Sequence, residues 1–101
     1  MILTVVNKTL RFFFVLFAFH SSQTFVDLRA NDFTGEIPSE IGELTKLKSL
    51  RLQANELIGD MPPEICALTD GILEELVADC DSEDPFSKVT CDINACCTEC
   101  Y

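Results

Sequence analysis

The chain has few basic residues, no tryptophan and a single histidine, and each shortage excludes a class of function. Its 101 residues include 7 lysines and arginines against 17 aspartates and glutamates, which gives a net charge of −10. A nucleic-acid-binding protein usually needs a basic face, so we expect no nucleic-acid partner. One histidine cannot complete a Cys₂His₂ zinc site. The length allows one small domain, which excludes a kinase, a Rossmann enzyme or a TIM barrel.

Motifs of catalysis are also missing. The single histidine, His20, lies at the edge of an apolar N-terminal segment, so no Ser–His–Asp or Cys–His arrangement is available. The sequence contains no Gly-x-Gly-x-x-Gly loop and no kinase lysine or catalytic-loop motif. We therefore predict a protein that is not an enzyme and that needs no cofactor.

The N-terminal segment differs from the rest of the chain. Residues 12–19 form an unbroken apolar run that follows Lys8 and Arg11, and every acidic residue lies further along. A basic flank before an apolar core of about 7–15 residues is typical of a secretory signal peptide. The run is too short to span a bilayer. We predict a signal peptide over 1–22 with cleavage near Ser21–Ser22, the alternatives being a signal anchor, a buried strand and a misplaced start codon.

The middle of the chain repeats with a period of 24 residues. Nine positions match in one register, and repeats of this length indicate stacked coils. The matched pairs are Leu28 and Leu52, Asn31 and Asn55, Phe33 and Leu57, Gly35 and Gly59, Ile37 and Met61, Pro38 and Pro62, Glu40 and Glu64, Ile41 and Ile65, and Leu44 and Leu68.

The repeated residue types have physical roles in a stacked coil. Leu50 and Leu52 alternate in a short strand and therefore point to one face, which stacking turns into the interior. Asn55 has two donors and an acceptor, with which it can bond backbone groups of its own coil and of a neighbour. Gly59 suits a turn that needs positive φ, and Pro62 fixes φ and removes a donor.

A third coil begins out of register. Residues 73–81 match residues 47–55 at an offset of 26, so two residues are inserted around Thr69–Ile72. Asp81 then stands in the asparagine position. The first coil is also incomplete, because His20 and Gln23 stand where leucines are expected, and the count is about two and a half coils.

Residues 44–62, which read LTKLKSLRLQANELIGDMP, resemble the plant-type leucine-rich repeat LxxLxxLxLxxNxLxGxIPxxLGxL. The resemblance covers residues 25–81. It implies an α/β solenoid, an L-domain-like right-handed β-α superhelix with period 24 and about two and a half coils. The organisation we expect is a signal peptide over 1–22, leucine-rich repeats over 23–81 and a cysteine-rich C-terminal cap over 82–101.

The cysteines form an even set that, behind a signal peptide, indicates a disulfide framework. Six cysteines allow fifteen pairings, among which the sequence does not choose, although adjacent Cys96 and Cys97 are not expected to pair with each other. The six are Cys66, Cys80, Cys91, Cys96, Cys97 and Cys100. The tail resembles the caps of secreted repeat proteins from diatom-type algae, which would cover the apolar edge of the last coil. The alternative is a zinc site of four thiolates from Cys91, Cys96, Cys97 and Cys100.

Positions between the strand leucines face the concave side of a solenoid and are free to bind a ligand. We predict that this face takes a protein or peptide. By register the candidate residues are Phe25, Asp27, Arg29, Ser49, Arg51, Gln53, Glu75, Val77 and Asp79.

Three functions fit these features. The first is a non-catalytic secreted or cell-surface binding module, and the second is a structural extracellular protein with no dedicated ligand. The third is a truncated fragment of a larger receptor-like ectodomain, because at least three coils are usually needed for stability. The first coil lacks a cysteine-bearing cap, so we also expect self-association through that edge, and membrane or cell-surface association stays open.

Overall fold

The computed structural model describes residues 22–91 and 96–101. The predicted signal peptide over 1–22 therefore lies outside the described residues, apart from Ser22. Within the two described ranges, no helix has the length and apolar character that crossing a membrane requires.

Short strands and short helical turns alternate along the described chain. The strands are β1 (Phe25–Asp27), β2 (Thr34–Glu36), β3 (Ser49–Arg51), β4 (Glu56–Asp60), β5 (Glu75–Ala78), β6 (Lys88–Thr90) and β7 (Glu99–Cys100). The helical elements are a 3₁₀ helix at Ser39–Glu43, α1 (Pro63–Cys66) and a second 3₁₀ helix at Ala67–Asp70. We call the stretches that hold β1 and β2, β3 and β4, and β5 and β6 the first, second and third repeats.

The strands form two parallel sheets. One has the order β1-β3-β5-β7 and the other the order β2-β4-β6. Ser49 pairs with Phe25 on one side and with Glu75 on the other, so the offset is 24 and then 26, which confirms the predicted insertion of two residues. In the second sheet Gly35 pairs with Leu57 rather than with its repeat equivalent Gly59. The pairing in this sheet is therefore shifted by two residues relative to the sequence repeat. Because side chains alternate between the two faces of a strand, a shift of two keeps every side chain on its original face.

The apolar positions of the repeats form one core. Leu47, Leu50, Leu52, Ile65 and Leu76 are fully buried, as their alternation in the sequence predicts. Complete burial of a leucine or isoleucine side chain contributes about 1.5–3 kcal/mol, so each of these five positions adds substantially to the stability of the stack.

Three apolar side chains of the first repeat are buried as well. Val26, Leu28 and Phe33 are 6%, 8% and 4% exposed. These three residues therefore do not form the open apolar edge on which the expectation of self-association was based. Self-association stays a prediction without that support.

Asn55 connects the second repeat to the first. Its side-chain amide nitrogen donates to the carbonyl oxygens of Leu28 and Leu52 at 2.8 and 2.9 Å. Its amide oxygen accepts the backbone N–H groups of Asn31 and Phe33, both at 3.0 Å. The expectation that this amide bonds backbone groups of its own and a neighbouring repeat is confirmed.

The third repeat makes the equivalent connection with a different residue. The Asp79 carboxylate accepts the N–H groups of Ala54 and Asn55 at 3.0 and 3.1 Å. Asp81, which the sequence places in the asparagine position, accepts the N–H of Glu83 in its own loop. The connection that Asn55 makes in the second repeat is therefore made by Asp79, two residues before the asparagine position that the offset of 26 gives. A carboxylate only accepts, so Asp79 satisfies N–H groups of the second repeat and cannot donate to its own carbonyls.

Neighbouring repeats also approach closely at their helical turns. A Cβ atom added at Gly42 would lie 2.7 Å from the Cβ of Glu64 and 2.8 Å from its carbonyl oxygen. Only glycine leaves room for this contact between the first 3₁₀ helix and α1. Cys66 lies 24 positions after Gly42, and its sulfur bonds Cys96. In the first repeat this position is Gly42, which packs against the second repeat. In the second repeat the equivalent position is Cys66, which bonds the C-terminal region covalently.

Three disulfides use the six cysteines: Cys66–Cys96 and Cys80–Cys100 join the C-terminal region to the repeats, and Cys91–Cys97 lies within that region. The prediction of a disulfide framework is confirmed, and adjacent Cys96 and Cys97 bond different partners. Sulfurs held in disulfides are not thiolates, so this pairing competes directly with the zinc alternative. Each bridge typically contributes about 2–4 kcal/mol.

The C-terminal region continues the first sheet beyond the third repeat. The N–H of Thr98 donates to the carbonyl of Leu76 at 2.8 Å, and the N–H of Tyr101 donates to that of Ala78 at 3.0 Å. β7 thus pairs with the outer side of β5, which would otherwise be an unpaired edge.

Asn55 and Asn31 provide a matched pair for testing the coupling between repeats. Replacement Asn55→Ala leaves two backbone N–H groups and two carbonyls without their partners, so we expect a loss of about 3 kcal/mol in the free energy of unfolding. Asn31 is exposed and its side chain donates only to the carbonyl of Arg29 among the described contacts. We expect Asn31→Ala to cost less than about 1 kcal/mol in urea denaturation. Equal losses in the two variants would contradict this account.

Candidate binding face

The outer face of the four-stranded sheet brings together all nine residues predicted to face a ligand. The pairing of β1 with β3 and of β3 with β5 arranges them in three rows that run across the strands. The rows are Phe25, Ser49 and Glu75; Asp27, Arg51 and Val77; and, just beyond the strand ends, Arg29, Gln53 and Asp79. We call this surface the strand face.

Two ion pairs organise the strand face. Arg29 donates to both carboxylate oxygens of Asp27 at 2.8 and 2.7 Å. Arg51 donates to Glu75 at 2.8 and 3.4 Å, and the hydroxyl of Ser49 donates to the same carboxylate. The pair of Arg51 and Glu75 connects β3 to β5. The pair of Arg29 and Asp27 joins the last residue of β1 to a residue just beyond it. Both pairs are partly exposed, where such interactions typically contribute under about 1 kcal/mol.

These contacts shift the titration of the two carboxyl groups. The hydrogen bond from Arg29 holds the pKa of Asp27 below its ordinary value. Hydrogen bonds from Arg51 and then from Ser49 lower the pKa of Glu75 in the same way. Both groups are therefore ionised at neutral pH, and the face presents fixed positive and negative charges side by side.

The nine residues do not contribute equally to the surface. Phe25 is 69% exposed, whereas Val77 is 2% and Ser49 6% exposed. The carboxylate of Asp79 is occupied by backbone N–H groups of the second repeat. Val77, Ser49 and Asp79 therefore support the face from below, and the surface that a ligand can touch comes from the remaining residues.

Sequence reasoning missed two residues of the strand face. Glu99 pairs with Val77 in the sheet, so β7 extends the second row by one strand. Tyr101, which is 50% exposed, lines a shallow groove of about 700 Å³. The groove lining is completed by Asp27, Arg29, Ala30, Gln53 and Ala54. Thr98 stands where the earlier strands have leucine or valine, so no apolar alternation marked β7 in the sequence.

A second groove of about 500 Å³ lies at the other sheet. Its polar lining includes the carboxylates of Glu36 and Asp60, and Pro38 and Pro62 supply walls without N–H donors. The described residues of its lining include no arginine and no aromatic residue. Arginine and aromatic side chains are the types enriched at protein interfaces, so the strand face is the stronger candidate.

Comparison with known proteins agrees with the repeat architecture. A family model described as Leucine Rich Repeat matches residues 24–44 and 46–68. No curated protein and no solved structure matches the chain. The chain therefore contains leucine-rich repeats with parallel strands, followed by a cysteine-rich C-terminal region with disulfides. Proteins built from such repeats generally bind other proteins.

The ion pair between Arg51 and Glu75 yields a test by titration. In the variant Arg51→Ala we expect the pKa of Glu75 to rise toward its ordinary value, because its main hydrogen-bond donor is gone. A lowered carboxyl pKa stabilises the fold fully above about pH 4.3, and that contribution is lost as pH falls through the lowered pKa. The variant should therefore lose less stability than the parent chain on acidification through this range.

Carboxyl NMR titration of both chains measures the shift directly. Arg51→Lys serves as the control, because it keeps the positive charge without the two-pronged geometry, and it should give an intermediate pKa. An unchanged Glu75 pKa in Arg51→Ala would contradict the assigned contact.

Proposed function

We propose that the chain is a non-catalytic binding module, secreted or held at the cell surface, that recognises a protein or peptide on the strand face. The observation that carries the proposal is the gathering of exposed aromatic and guanidinium groups on one sheet. Phe25 and Tyr101 are 69% and 50% exposed there, and Arg29 and Arg51 lie on the same face. Aromatic and arginine side chains dominate the energetics of protein interfaces.

The architecture supports this assignment. Each repeat adds one strand to the strand face, as expected for a solenoid in which the strands line the concave side. With a superhelical stack of about two and a half coils, the rows of side chains would form a curved surface suited to an extended segment. A neighbouring chain could then contact several repeats at once.

The proposed location is supported by two features. Three disulfides are typical of small proteins that fold in an oxidising compartment. The sequence over 1–22 has the basic flank and apolar core of a signal peptide. Together they favour a secreted or surface-attached protein.

A structural protein without a dedicated ligand is the second candidate. The observation in its favour is that both arginines of the strand face already have partners, Asp27 and Glu75. A ligand that used either guanidinium would compete with an existing pair. The two candidates differ in whether exposed side chains of this face contribute to binding.

Selection from a random-sequence peptide phage library on the folded, oxidised chain separates the two candidates. Peptides recovered from the selection are measured against the variants Phe25→Ala and Arg29→Ala. We expect each variant to bind about tenfold more weakly, because truncation of an anchor side chain typically costs more than 1 kcal/mol.

Matched controls come from outside the four-stranded sheet. Phe86 is 85% exposed in the loop before β6, and Lys88 is an exposed cation on β6. Phe86→Ala and Lys88→Ala should leave the affinity unchanged. If both pairs of variants weaken binding equally, or if no peptide is enriched, the strand face is not a binding site and the structural role is favoured.

A further inference from the structure

We propose that Glu99 and Tyr101 form a subsite for a cationic side chain, lysine or arginine, of the partner bound on the strand face. The inference rests on the proposed function and adds the chemical class of the group recognised. It concerns residues that the repeat pattern does not contain, because both lie on or next to β7 in the cysteine-rich region.

The two residues are held in fixed positions on the strand face. Cys100 lies between them in sequence and bonds Cys80 on the neighbouring strand end, with a Cα–Cα distance of 4.7 Å. The N–H of Tyr101 donates to Ala78, and its carbonyl accepts the N–H of Asp81, both at 3.0 Å. A site held by one disulfide and by backbone bonds on both sides loses little conformational freedom when a ligand binds.

Glu99 differs from the other carboxylates of the face in what it contacts. Asp27 and Glu75 are paired with arginines, and Asp79 accepts two backbone N–H groups. Glu99 is exposed, and no basic side chain in residues 22–91 and 96–101 forms an ion pair with it. Among the described side-chain carboxylates of this face, Glu99 can therefore be neutralised by a partner's cation without breaking an ion pair.

Tyr101 supplies the second part of the subsite. The neighbouring Glu99 carboxylate raises the pKa of the Tyr101 hydroxyl, so the ends of the two side chains lie close together on the face. The half-exposed ring offers a π-face, on which an ammonium or guanidinium group can stack. Val77 pairs with Arg51 on one side and Glu99 on the other and is buried, so it supports the subsite from below without contacting a ligand.

The charge of the whole chain favours the same ligand. A net charge of −10 attracts cationic segments and repels anionic ones during approach. An anionic group would also need Arg29 or Arg51, both of which already hold carboxylates. The net charge of the chain thus favours the approach of a cation, and the exposed carboxylate of Glu99 favours its binding.

The subsite can be tested with small probes, independently of any natural partner. The folded, oxidised full chain is titrated with Nα-acetyl-lysinamide, Nα-acetyl-argininamide and the uncharged Nα-acetyl-norleucinamide, and backbone amide shifts are followed by NMR. We expect saturable shifts centred on the amides of Val77, Glu99 and Tyr101 for the two cations. Affinity for norleucinamide should be weaker by about threefold or more, as for the loss of a partly exposed ion pair.

Two variants of equal charge identify the carboxylate responsible. Glu99→Gln should reduce affinity for the cations by about threefold, whereas Glu83→Gln, which removes one negative charge from the exposed loop before β6, should not. Shifts that do not saturate, equal affinity for norleucinamide, or equal effects of the two variants would overturn the proposal.

The result is distinguishable from failure of the proposed function. Phage-selected peptides that depend on Phe25 and Arg29 but not on Glu99 would keep the binding face and remove the cation subsite. Failure of both experiments would remove both. A third arm, Cys80→Ser with Cys100→Ser, should lose the cation shifts if the disulfide positions the two side chains. If that double variant does not fold, the proposal is still tested by Glu99→Gln, because this variant keeps all three disulfides.

Discussion

Each repeat of this chain leaves backbone groups that only the following repeat can satisfy. Asn55 bonds the N–H groups of Asn31 and Phe33, and Asp79 in turn bonds that of Asn55. The strands pair in the same direction along the sheet, and the leucines beneath them are buried only when the repeats stack. The stability of the fold therefore depends on contacts between neighbouring repeats. A last repeat with nothing packed against it would expose backbone polar groups and apolar side chains to solvent.

The cysteine-rich region covers the exposed side of the third repeat by continuing the first sheet. β7 pairs with β5, and Thr98 and Tyr101 donate to the carbonyls of Leu76 and Ala78. Disulfides then attach the segment to α1 through Cys66 and to the end of the third repeat through Cys80. Because β7 also carries Glu99, the element that completes the stack adds residues to the strand face. Folding of the cap and composition of the proposed binding surface are therefore linked.

Much of the repeat architecture follows from local pattern. The 24-residue period identified the strand around Leu50, with Leu52 one residue beyond the end of β3, and the 26-residue offset located β5 after the insertion. Asn55 could be assigned its role because the amide chemistry is specific. The predicted ligand-facing positions share one sheet because strand alternation determines which side chains point outward.

The remainder depends on contacts that no local pattern encodes. β7 has two residues, too few for a period, and Thr98 interrupts the apolar series. The use of Asp79 rather than Asp81 depends on the path of the chain beyond β5, and disulfide pairing is determined by the folded geometry. Glu99 and Tyr101 could therefore not be assigned to the strand face before the pairing of β7 was known.

Hydrogen exchange at the amides of Thr98 and Tyr101, in the oxidised full chain, tests most directly whether the cap continues the sheet. If β7 pairs with β5 as described, both amides should exchange at rates close to that of Leu52, whose N–H donates to the carbonyl of Val77. Both should also exchange about tenfold or more slowly than the amide of Ser82 in the exposed loop. Exchange of Thr98 and Tyr101 as fast as that of Ser82 would contradict the account, since the cap would then neither complete the stack nor extend the strand face.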